Sequence, residues 1–496
     1  MPVSKFWKGT MNANTPLPLT PTHRLGSPPW VGLSVLLLAG FVTIFDLFVV
    51  NVAIPSLQTG LNASFAQIGF IVAGYELAFG VLLITGGRLG DVFGRRRLFI
   101  VGMAGFTVAS ALCGLAPSAA FLISARVVQG LAAALLFPQV YASIRVNFDA
   151  QDSRRAFGLL GMTLGLSAIA GQVLGGWMVH ADLFGSGWRS IFLINVPIGL
   201  LAIVAARYIP ESRAPQRPDL DWAGVALVSL GLALLLVPLI EGPGQGWPAW
   251  SFCALGLALA LLALFKRQQE RRRATGNLPL VDMQLLAQRR FALGALLVLV
   301  VYSTSSSFFL CFALLMQSGL GLDPFRAGSI FAPCSVGFVL ASLAAPRLVA
   351  RWGIRAIVAG ALLYALSIGL LIAQVQTAGA QLVAVRLIPV LIVVGAGQGL
   401  VMTPLLNLVL ALVDEAKAGM ASGVISTVQQ VGAALGVAVV GIFFAAALPG
   451  AEGSFVQAGQ YVHGFVAGML YNLGAAVMVI ALLVMLAGEQ RSGGGE

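Results

Sequence analysis

Charged residues are scarce in this sequence. Asp, Glu, Lys and Arg make up 9% of its 496 residues, while 58% are hydrophobic and the mean hydropathy is +0.93. A soluble fold has too little interior to bury so much apolar surface, so the composition predicts a polytopic membrane protein. The net charge of +11 does not indicate a nucleic-acid partner, because the basic residues lie in short segments between apolar runs.

Residues that bind metals or ATP are also few. The four cysteines occur singly, with no CxxC pair, and the three histidines are scattered. No disulfide framework, metal site or cofactor is predicted from this inventory. The chain has four lysines and no GxxxxGK[ST] sequence, which excludes ATP-driven transport by this chain.

Long apolar runs, in contrast, are abundant. A helix needs about 20 apolar residues to cross the bilayer core. The runs are continuous and carry internal Gly and Ala, which favours helices over the alternating segments of a β-barrel. We predict an all-α polytopic membrane protein with fourteen spans, at 30–55, 67–90, 97–116, 119–145, 155–180, 190–208, 221–240, 248–266, 291–317, 326–349, 355–374, 383–412, 419–446 and 463–487.

The basic residues also predict how the chain lies in the membrane. Nearly every Lys and Arg falls on the side of the membrane that holds both termini. The exceptions are Arg189 and Arg326, on the opposite side, and Arg126 and Arg386, within spans. Cytoplasmic loops carry such an excess of positive charge. We therefore predict a multi-pass protein of the cell membrane with both termini in the cytoplasm.

A polar stretch near the middle divides the chain. Residues 266–290 separate eight predicted spans from six, and the segment 345–355 weakly repeats the Gly and Arg pattern of 87–97. Such repeats are typical of secondary transporters that bind substrate between two halves. The predicted organisation is a disordered cytoplasmic tail in 1–28, a six-helix bundle in 29–212, two extra helices and a linker in 213–290, and a second six-helix bundle with a short tail in 291–496.

Ionisable residues inside the spans indicate function, because a charge at the bilayer centre costs at least ~2.5 kcal/mol. Asp46 in span 1 and Arg126 in span 4 are predicted to pair in the bundle interior. Burial and a nearby arginine shift the proton affinity of a carboxyl group in opposite directions, so a moving partner would let Asp46 couple transport to protons. A permanent ion pair that fixes two helices is the alternative. Glu76 is a second protonatable site, a contact for a cationic substrate, or a residue that reaches the external interface.

Neutral polar residues in the spans are weaker candidates. Ser and Thr in membrane helices commonly bond to their own backbone. The predicted lining of a substrate cavity is Gln129, Gln317, Asn407, Gln429 and Gln430.

The turn between spans 2 and 3 concentrates charge in the sequence GRLGDVFGRRR, at 87–97. Its arginines serve the orientation of the chain in part. An acid contributes little to orientation, so Asp91 indicates a further role, and a helix N-terminus is a natural seat for its carboxylate.

Several of these motifs together resemble the major facilitator superfamily, and more narrowly its fourteen-span drug:H+ antiporter branch. GRLGDVFGRRR resembles the loop signature between spans 2 and 3, ARVVQG (125–130) the span 4 motif, and FDLFVVNVAIP (45–55) the span 1 motif, with Phe48 where a threonine is usual. SAIAGQVLGG (167–176) is similar to the span 5 antiporter motif, with Gln172 in place of the usual proline.

The resemblance implies the major facilitator fold, two six-helix bundles plus two extra central helices, and alternating access of a central cavity. By matched position, Asp46 and Arg126 would serve proton coupling, and Asp91 would brace the two halves near the start of span 13, at 419–423. The implied gate is Gly87, Arg88, Gly90, Asp91, Gly94, Arg95 and Arg96. The implied packing of span 5 against the opposite bundle is by Gly171, Gly175 and Gly176, beside Gln172.

The function predicted is proton-coupled export of amphipathic or cationic small molecules, that is, multidrug efflux. The alternative is a major facilitator exporter or importer of one specific metabolite. The partners are the small-molecule substrate, protons and the lipid bilayer, and the residues leave open whether a periplasmic adaptor takes part. No catalytic cluster or soluble domain stands out, so an enzyme is not predicted.

Overall fold

The computed structural model of the protein describes residues 29–182, 185–213, 220–410, 413, 418–447 and 458–492. Regular structure in these ranges is helical, and fourteen stretches are long and apolar enough to cross a membrane, which confirms the predicted count. The helices are α1 (Pro29–Leu61), α2 (Phe65–Phe93), α3 (Arg95–Gly114), α4 (Ala119–Asn147), α5 (Ala150–Ala181), α6 (Ser190–Leu193), α7 (Asn195–Ala205), α8 (Trp222–Glu241), α9 (Ala249–Ala274), α10 (Met283–Ala287), α11 (Arg289–Ala313), α12 (Pro324–Trp352), α13 (Ile354–Ala378), α14 (Ile388–Leu410), α15 (Ala418–Ala447) and α16 (Ala458–Ser492).

Polar residues in the short loops define where several helices begin. Ser64 and Gln67 form a capping box at the start of α2, and Asp149 and Asp323 accept backbone hydrogen bonds at the starts of α5 and α12. These side chains satisfy amide groups that have no partner inside the helix. A sharp helix start is thereby set at each end of the membrane.

The sixth span is broken in two. Helix α6 ends at Leu193, and α7 begins at Asn195. Pro197 has no amide hydrogen to donate to the carbonyl of Leu193, so the helical hydrogen-bond ladder is interrupted there. The break places the side chain of Asn195 at the first position of α7.

The two halves of the chain repeat one packing pattern. In the first half α1 packs against α5, and α4 against both α2 and α3; in the second half α11 packs against α15, and α14 against both α12 and α13. The halves meet through α2 with α15 and α5 with α12, so corresponding helices are exchanged across the interface. Helices α8 and α9 pack on each other, and α8 covers the seam between α2 and α15.

Candidate functional site

A cluster of polar side chains is buried around Asp46 in the middle of α1. The Asp46 carboxylate is fully buried and pairs with Arg126 through Oδ2, which confirms the predicted contact. Gln129 Nε2 donates to Asp46 Oδ1 at 2.9 Å, and Asn195 Nδ2 donates to the same oxygen at 3.0 Å. Ser110 Oγ accepts from both amides, at 3.2 Å and 3.0 Å respectively. Side chains of α1, α3, α4 and α7 thus share one hydrogen-bonded centre.

The Arg126 guanidinium has partners in several directions. Nε donates to the Ile71 carbonyl at 3.2 Å, Nη1 donates to Gln129 Oε1 at 2.8 Å, and the guanidinium carbon lies 4.2 Å from the centre of the Tyr75 ring. A buried ion pair recovers its desolvation cost only with such additional contacts. Loss of either charge would therefore leave the other uncompensated.

Asn195 and Ser110 belong to this centre, although no sequence pattern singles them out. Asn195 is an amide side chain within the apolar run 190–208, two residues before Pro197. An isolated amide next to a helix-breaking proline is the signal that points to it. Ser110 carries no comparable signal, because most serines in membrane helices bond to their own backbone. Its hydroxyl instead donates to the Phe192 carbonyl at 2.9 Å.

Glu76 lies between the two halves and not at the external interface. Its side chain is buried, and Ser306 Oγ of α11 donates to Oε1 at 3.0 Å. The second oxygen, Oε2, is buried without a hydrogen-bond partner among the described residues. Such an oxygen can accept a proton or a hydrogen bond from a bound molecule.

The remaining predicted polar residues are dispersed. Gln129 is completely buried in the Asp46 centre, so it does not line an open cavity. Gln317 Nε2 donates to the Val52 carbonyl of the other half at 2.8 Å, and Gln429 Nε2 donates to the Tyr302 hydroxyl at 2.9 Å. Gln430 packs closely on Gly80 of α2: a Cβ atom added to this glycine would lie only 2.5 Å from the Cβ of Gln430. The side chain of Asn407 lies outside the described residues.

The charged turn between α2 and α3 binds chiefly to its own half. Asp91 Oδ1 accepts from Arg95 Nη2 at 2.7 Å, and Arg95 Nη1 donates to Ser212 Oγ at 3.3 Å. The Arg96 backbone amide donates to Glu211 Oε1 at 3.1 Å. Gly94 adopts φ 107°, which a residue with a Cβ rarely does. The turn is therefore fixed to the segment that follows α7.

Packing against α4 requires a glycine at position 90 of this motif but not at position 87. A Cβ at Gly90 would lie 2.0 Å from Gln139 Oε1, whereas one at Gly87 would meet Pro138 at an ordinary 3.7 Å. Arg88 Nη2 donates to the Pro279 carbonyl of the linker at 2.6 Å. The motif thus joins α2 to α4 and to the linker before α10.

The predicted seat of Asp91 at the start of α15 remains a prediction. Residues 411, 412 and 414–417, which precede α15, lie outside the described residues. Among the described residues, Ile84 of α2 packs on Gly423 of α15: a Cβ added to Gly423 would lie 3.1 Å from Ile84 Cγ1. The last turns of α2 therefore run beside the first turns of α15.

The predicted packing of span 5 glycines on the opposite half is wrong for two of them. A Cβ at Gly171 would meet Phe48 at 3.0 Å and one at Gly175 would meet Val49 at 2.4 Å, both on α1 of the same half. A Cβ at Gly176 would lie 2.5 Å from the Pro324 carbonyl of α12, as predicted. Residues 171 and 175 share one face of the helix, and residue 176 lies about 100° away, so they contact different neighbours.

Gln172 lies on the same face of α5 as Gly176. Its backbone carbonyl packs on Gly328 of α12, where an added Cβ would lie 2.4 Å from the carbonyl oxygen. The proline expected at this position is therefore not required for close contact between the halves.

Helices α5 and α12 contact each other near the end that carries loops 62–64 and 320–323, hereafter the closed end. There His180 Nδ1 lies 3.4 Å from Asp323 Oδ1, and nearer the middle of α1 the rings of Phe48 and Phe309 lie 4.9 Å apart. The other end, hereafter the open end, carries the turn at Gly94 and the linker before α10.

Helices α5 and α12 diverge toward the open end. Along one face of α5, a Cβ at Gly165 would touch Val339 of α12 at 3.4 Å, but one at Gly161 or Gly158 would meet no described atom within 4 Å. These positions follow each other at spacings of three and four residues and so lie on the same face. A cleft between the halves therefore opens at this end.

Comparison with known proteins agrees with this architecture. Residues 36–437 match the family model of the Major Facilitator Superfamily. The chain is 41% identical over 425 residues to a probable actinorhodin transporter of Streptomyces coelicolor, covering 84% of this chain and 74% of that one. It is 35% identical over 413 residues to the puromycin resistance protein pur8 of Streptomyces alboniger, covering 82% and 80% of the two chains.

Solved structures share the fold at low sequence identity. A bacterial homolog of the human lysosomal transporter Spinster, in an inward-facing and unoccupied conformation, superposes with a TM-score of 0.64 at 16% identity, covering 93% of this chain and 98% of that one. A D-xylose-proton symporter gives 0.63 at 14%, covering 91% and 97%. The chain belongs to the major facilitator superfamily.

Proposed function

We propose that this protein is a secondary active exporter that moves amphipathic or cationic small molecules in exchange for protons. The observation that carries the proposal is the buried pair of Asp46 and Arg126, held by Gln129 and Asn195 inside a half whose helix α5 diverges from α12 of the other half toward the open end. Relatives named for actinorhodin transport, puromycin resistance and tetracenomycin C resistance and export support the direction and the kind of cargo.

The coupling step uses Asp46 as the proton carrier. A proton that binds Asp46 removes its negative charge, and Arg126 then keeps the Ile71 carbonyl, the Gln129 oxygen and the Tyr75 ring as partners. Those neutral contacts offset only part of the lost attraction. Protonation therefore favours a rearrangement of α1 against α4, and the halves 29–212 and 291–496 rock about the cleft between them. Glu76 is the second acid, placed against Ser306 of the opposite half.

The excess of Lys and Arg supports a cytoplasmic location of the open end and of both termini. The structure then corresponds to the state that receives substrate from the cell or the inner leaflet. In the opposite state, Asp91 would close the cytoplasmic end as a latch between the turn at 94–97 and the start of α15. Its present bond to Arg95 keeps the carboxylate oriented within the first half.

Expression in a strain without its own efflux pumps tests this function. The protein should raise tolerance to ethidium and other amphipathic cations, and dissipation of the proton gradient should abolish the effect. Unchanged tolerance across a broad panel, together with gradient-dependent transport of a single metabolite, would favour the specific metabolite transporter instead.

A further inference from the structure

A row of aromatic rings runs along the first half, from the buried ion pair toward the open end. The ring centres of Tyr75 and Phe79 lie 6.1 Å apart, those of Phe79 and Phe137 5.6 Å, those of Phe137 and Tyr141 5.3 Å, and those of Tyr141 and Phe157 6.0 Å. We call these five rings the aromatic strip. Each spacing lies in the range at which aromatic rings attract each other.

The exposed end of the strip does not face lipid. Tyr141 is 40% exposed, and Val128 and Val146, which are 49% and 48% exposed, lie about 140° away around α4. Those valines lie on the side of the helix away from the buried pair, about 160° from Arg126. Arg126 and Phe137 lie within about 60° of Tyr141 around α4, so the ring is on the side of the helix that holds the buried pair. Its ring is therefore exposed to the cleft between the halves.

The wall opposite the strip is polar. The Tyr302 hydroxyl accepts a hydrogen bond from Gln429 Nε2 at 2.9 Å, and Ser306 of the same helix donates to Glu76. A molecule in the cleft would meet rings on one side and hydrogen-bonding groups on the other.

The buried end of the strip has a polar group without a partner. Tyr75 is fully buried under Arg126, and its hydroxyl has no hydrogen-bond partner among the described residues. Polar groups at such depth are normally paired, because an unpaired one costs about 1–3 kcal/mol. The strip thus ends at an unsatisfied donor beside the proton-coupling pair.

We propose that the aromatic strip is the binding surface of the first half for planar fused-ring aromatic molecules with a polar edge. The exposed ring of Tyr141 stacks on the flat face of the molecule, and the Phe137 ring, tilted by 59° to the Tyr141 ring, contacts the molecule edge-on. Tyr302 and Gln429 bind the polar edge of the molecule. This inference rests on the proposed function, since it names the class of substrate that the cleft receives. Aromatic stacking is tolerant of chemical detail, so such a surface suits a family of ring systems rather than one compound.

Binding to purified protein in phospholipid nanodiscs tests the strip without any proton gradient. Ethidium, a planar fused-ring cation, is titrated against the wild type and against the variants Phe137→Leu and Tyr141→Leu, which keep an apolar side chain and remove the ring. We expect the Kd for ethidium to rise by about 2- to 12-fold in each variant. Tyr141→Phe should bind as the wild type does. Phe121→Leu is the matched control, because Phe121 is also 40% exposed on α4 but lies on its opposite face.

A second probe, the aliphatic cation dodecyltrimethylammonium, distinguishes stacking from general packing. Its affinity should be the same in the wild type and in both leucine variants. The proposal is overturned if ethidium fails to bind the wild type, if both cations weaken equally, or if Phe121→Leu weakens ethidium as much as Tyr141→Leu. Uptake into everted vesicles under a proton gradient, measured in parallel, reports separately on the proposed function: binding without uptake would refute export and leave the strip supported.

Discussion

Replacement of Asp46 by asparagine is the most informative change to the buried centre. Asp46→Asn preserves the shape of the side chain and leaves an amide oxygen as acceptor for Gln129 and Asn195. In the wild type these two side chains donate to Asp46 at 2.9 Å and 3.0 Å. The change removes the negative charge opposite Arg126, whose side chain is 2% exposed. A guanidinium would then remain in the bundle interior with neutral partners only.

The expected cost follows from that burial. Removal of one member of a buried ion pair typically lowers the free energy of unfolding by about 3–5 kcal/mol, mostly because the remaining charge is uncompensated. Arg126→Gln in the same background should restore much of this loss, because the double variant buries no charge. We expect a coupling free energy of about 1–3 kcal/mol between the two substitutions.

Two assays read out the prediction. Denaturant titration of the purified protein in mixed micelles gives the free energy of unfolding of the wild type, both single variants and the double variant. Proton-driven uptake of ethidium into everted vesicles gives uphill transport, which Asp46→Asn should abolish even where the protein is expressed normally. A single variant within ~1 kcal/mol of the wild type would refute the energetic argument, and a variant with full uphill uptake would refute the coupling role.

Three further substitutions test other parts of the account. Glu76→Gln keeps an acceptor for Ser306 but removes a charge. The KM for an amphipathic cation should therefore rise about tenfold from the wild type to the variant, while the KM for a neutral substrate stays the same. An equal change in KM for both substrates would exclude a contact between Glu76 and the cation. Asp91→Asn should slow transport without weakening ethidium binding, whereas Arg97→Gln in the same turn, where the Arg97 side chain is 70% exposed, should leave transport unchanged; wild-type transport in Asp91→Asn would make Asp91 a surface ion pair. Burial raises the pKa of Asp221, but hydrogen bonds from Gln269 and other donors lower it below its usual value, so Asp221→Asn should cost about 1.5–3 kcal/mol at pH 7. That cost should begin to decrease as the pH falls below about 4, the pKa of an unfolded aspartate, and should be lost once the pH is below the lowered pKa of the folded state. Equal stability of both proteins at pH 7 would contradict this prediction.

The spans and the main ion pair could be predicted from the sequence because both depend on strong local signals. A continuous apolar run has one solution in a membrane, which is a helix. A lone acid and a lone arginine within such runs, Asp46 and Arg126, require each other for the same reason. The motif residues Arg88, Asp91 and Arg95 likewise stand out against an apolar background.

Other parts of the site depend on three-dimensional packing and carry weak sequence signals. The neighbours of Gly171 and Gly175 are set by which face of α5 meets α1, and a run of small residues does not determine that face. Ser110 becomes part of the site because the packing of α3 on α4 and α7 brings its hydroxyl to the amides of Gln129 and Asn195. Gln129, three residues after Arg126, occupies the same buried centre and not a cavity wall, because one helical turn brings the two side chains together.

The aromatic strip shows the same limit in another form. Its rings come from α2, α4 and α5, and Phe79, Phe137 and Phe157 have no unusual sequence context. Only the crossing of these helices brings their rings into contact.

Substrate-induced proton release from the purified protein is the direct test of proton coupling through Asp46. Ethidium is added to the protein in weakly buffered detergent solution, and the change in pH is recorded with a pH indicator. We expect proton release from the wild type and none from an Asp46→Asn variant that still binds ethidium. Equal release from both proteins, or ethidium binding by the wild type without any release, would contradict proton coupling through Asp46.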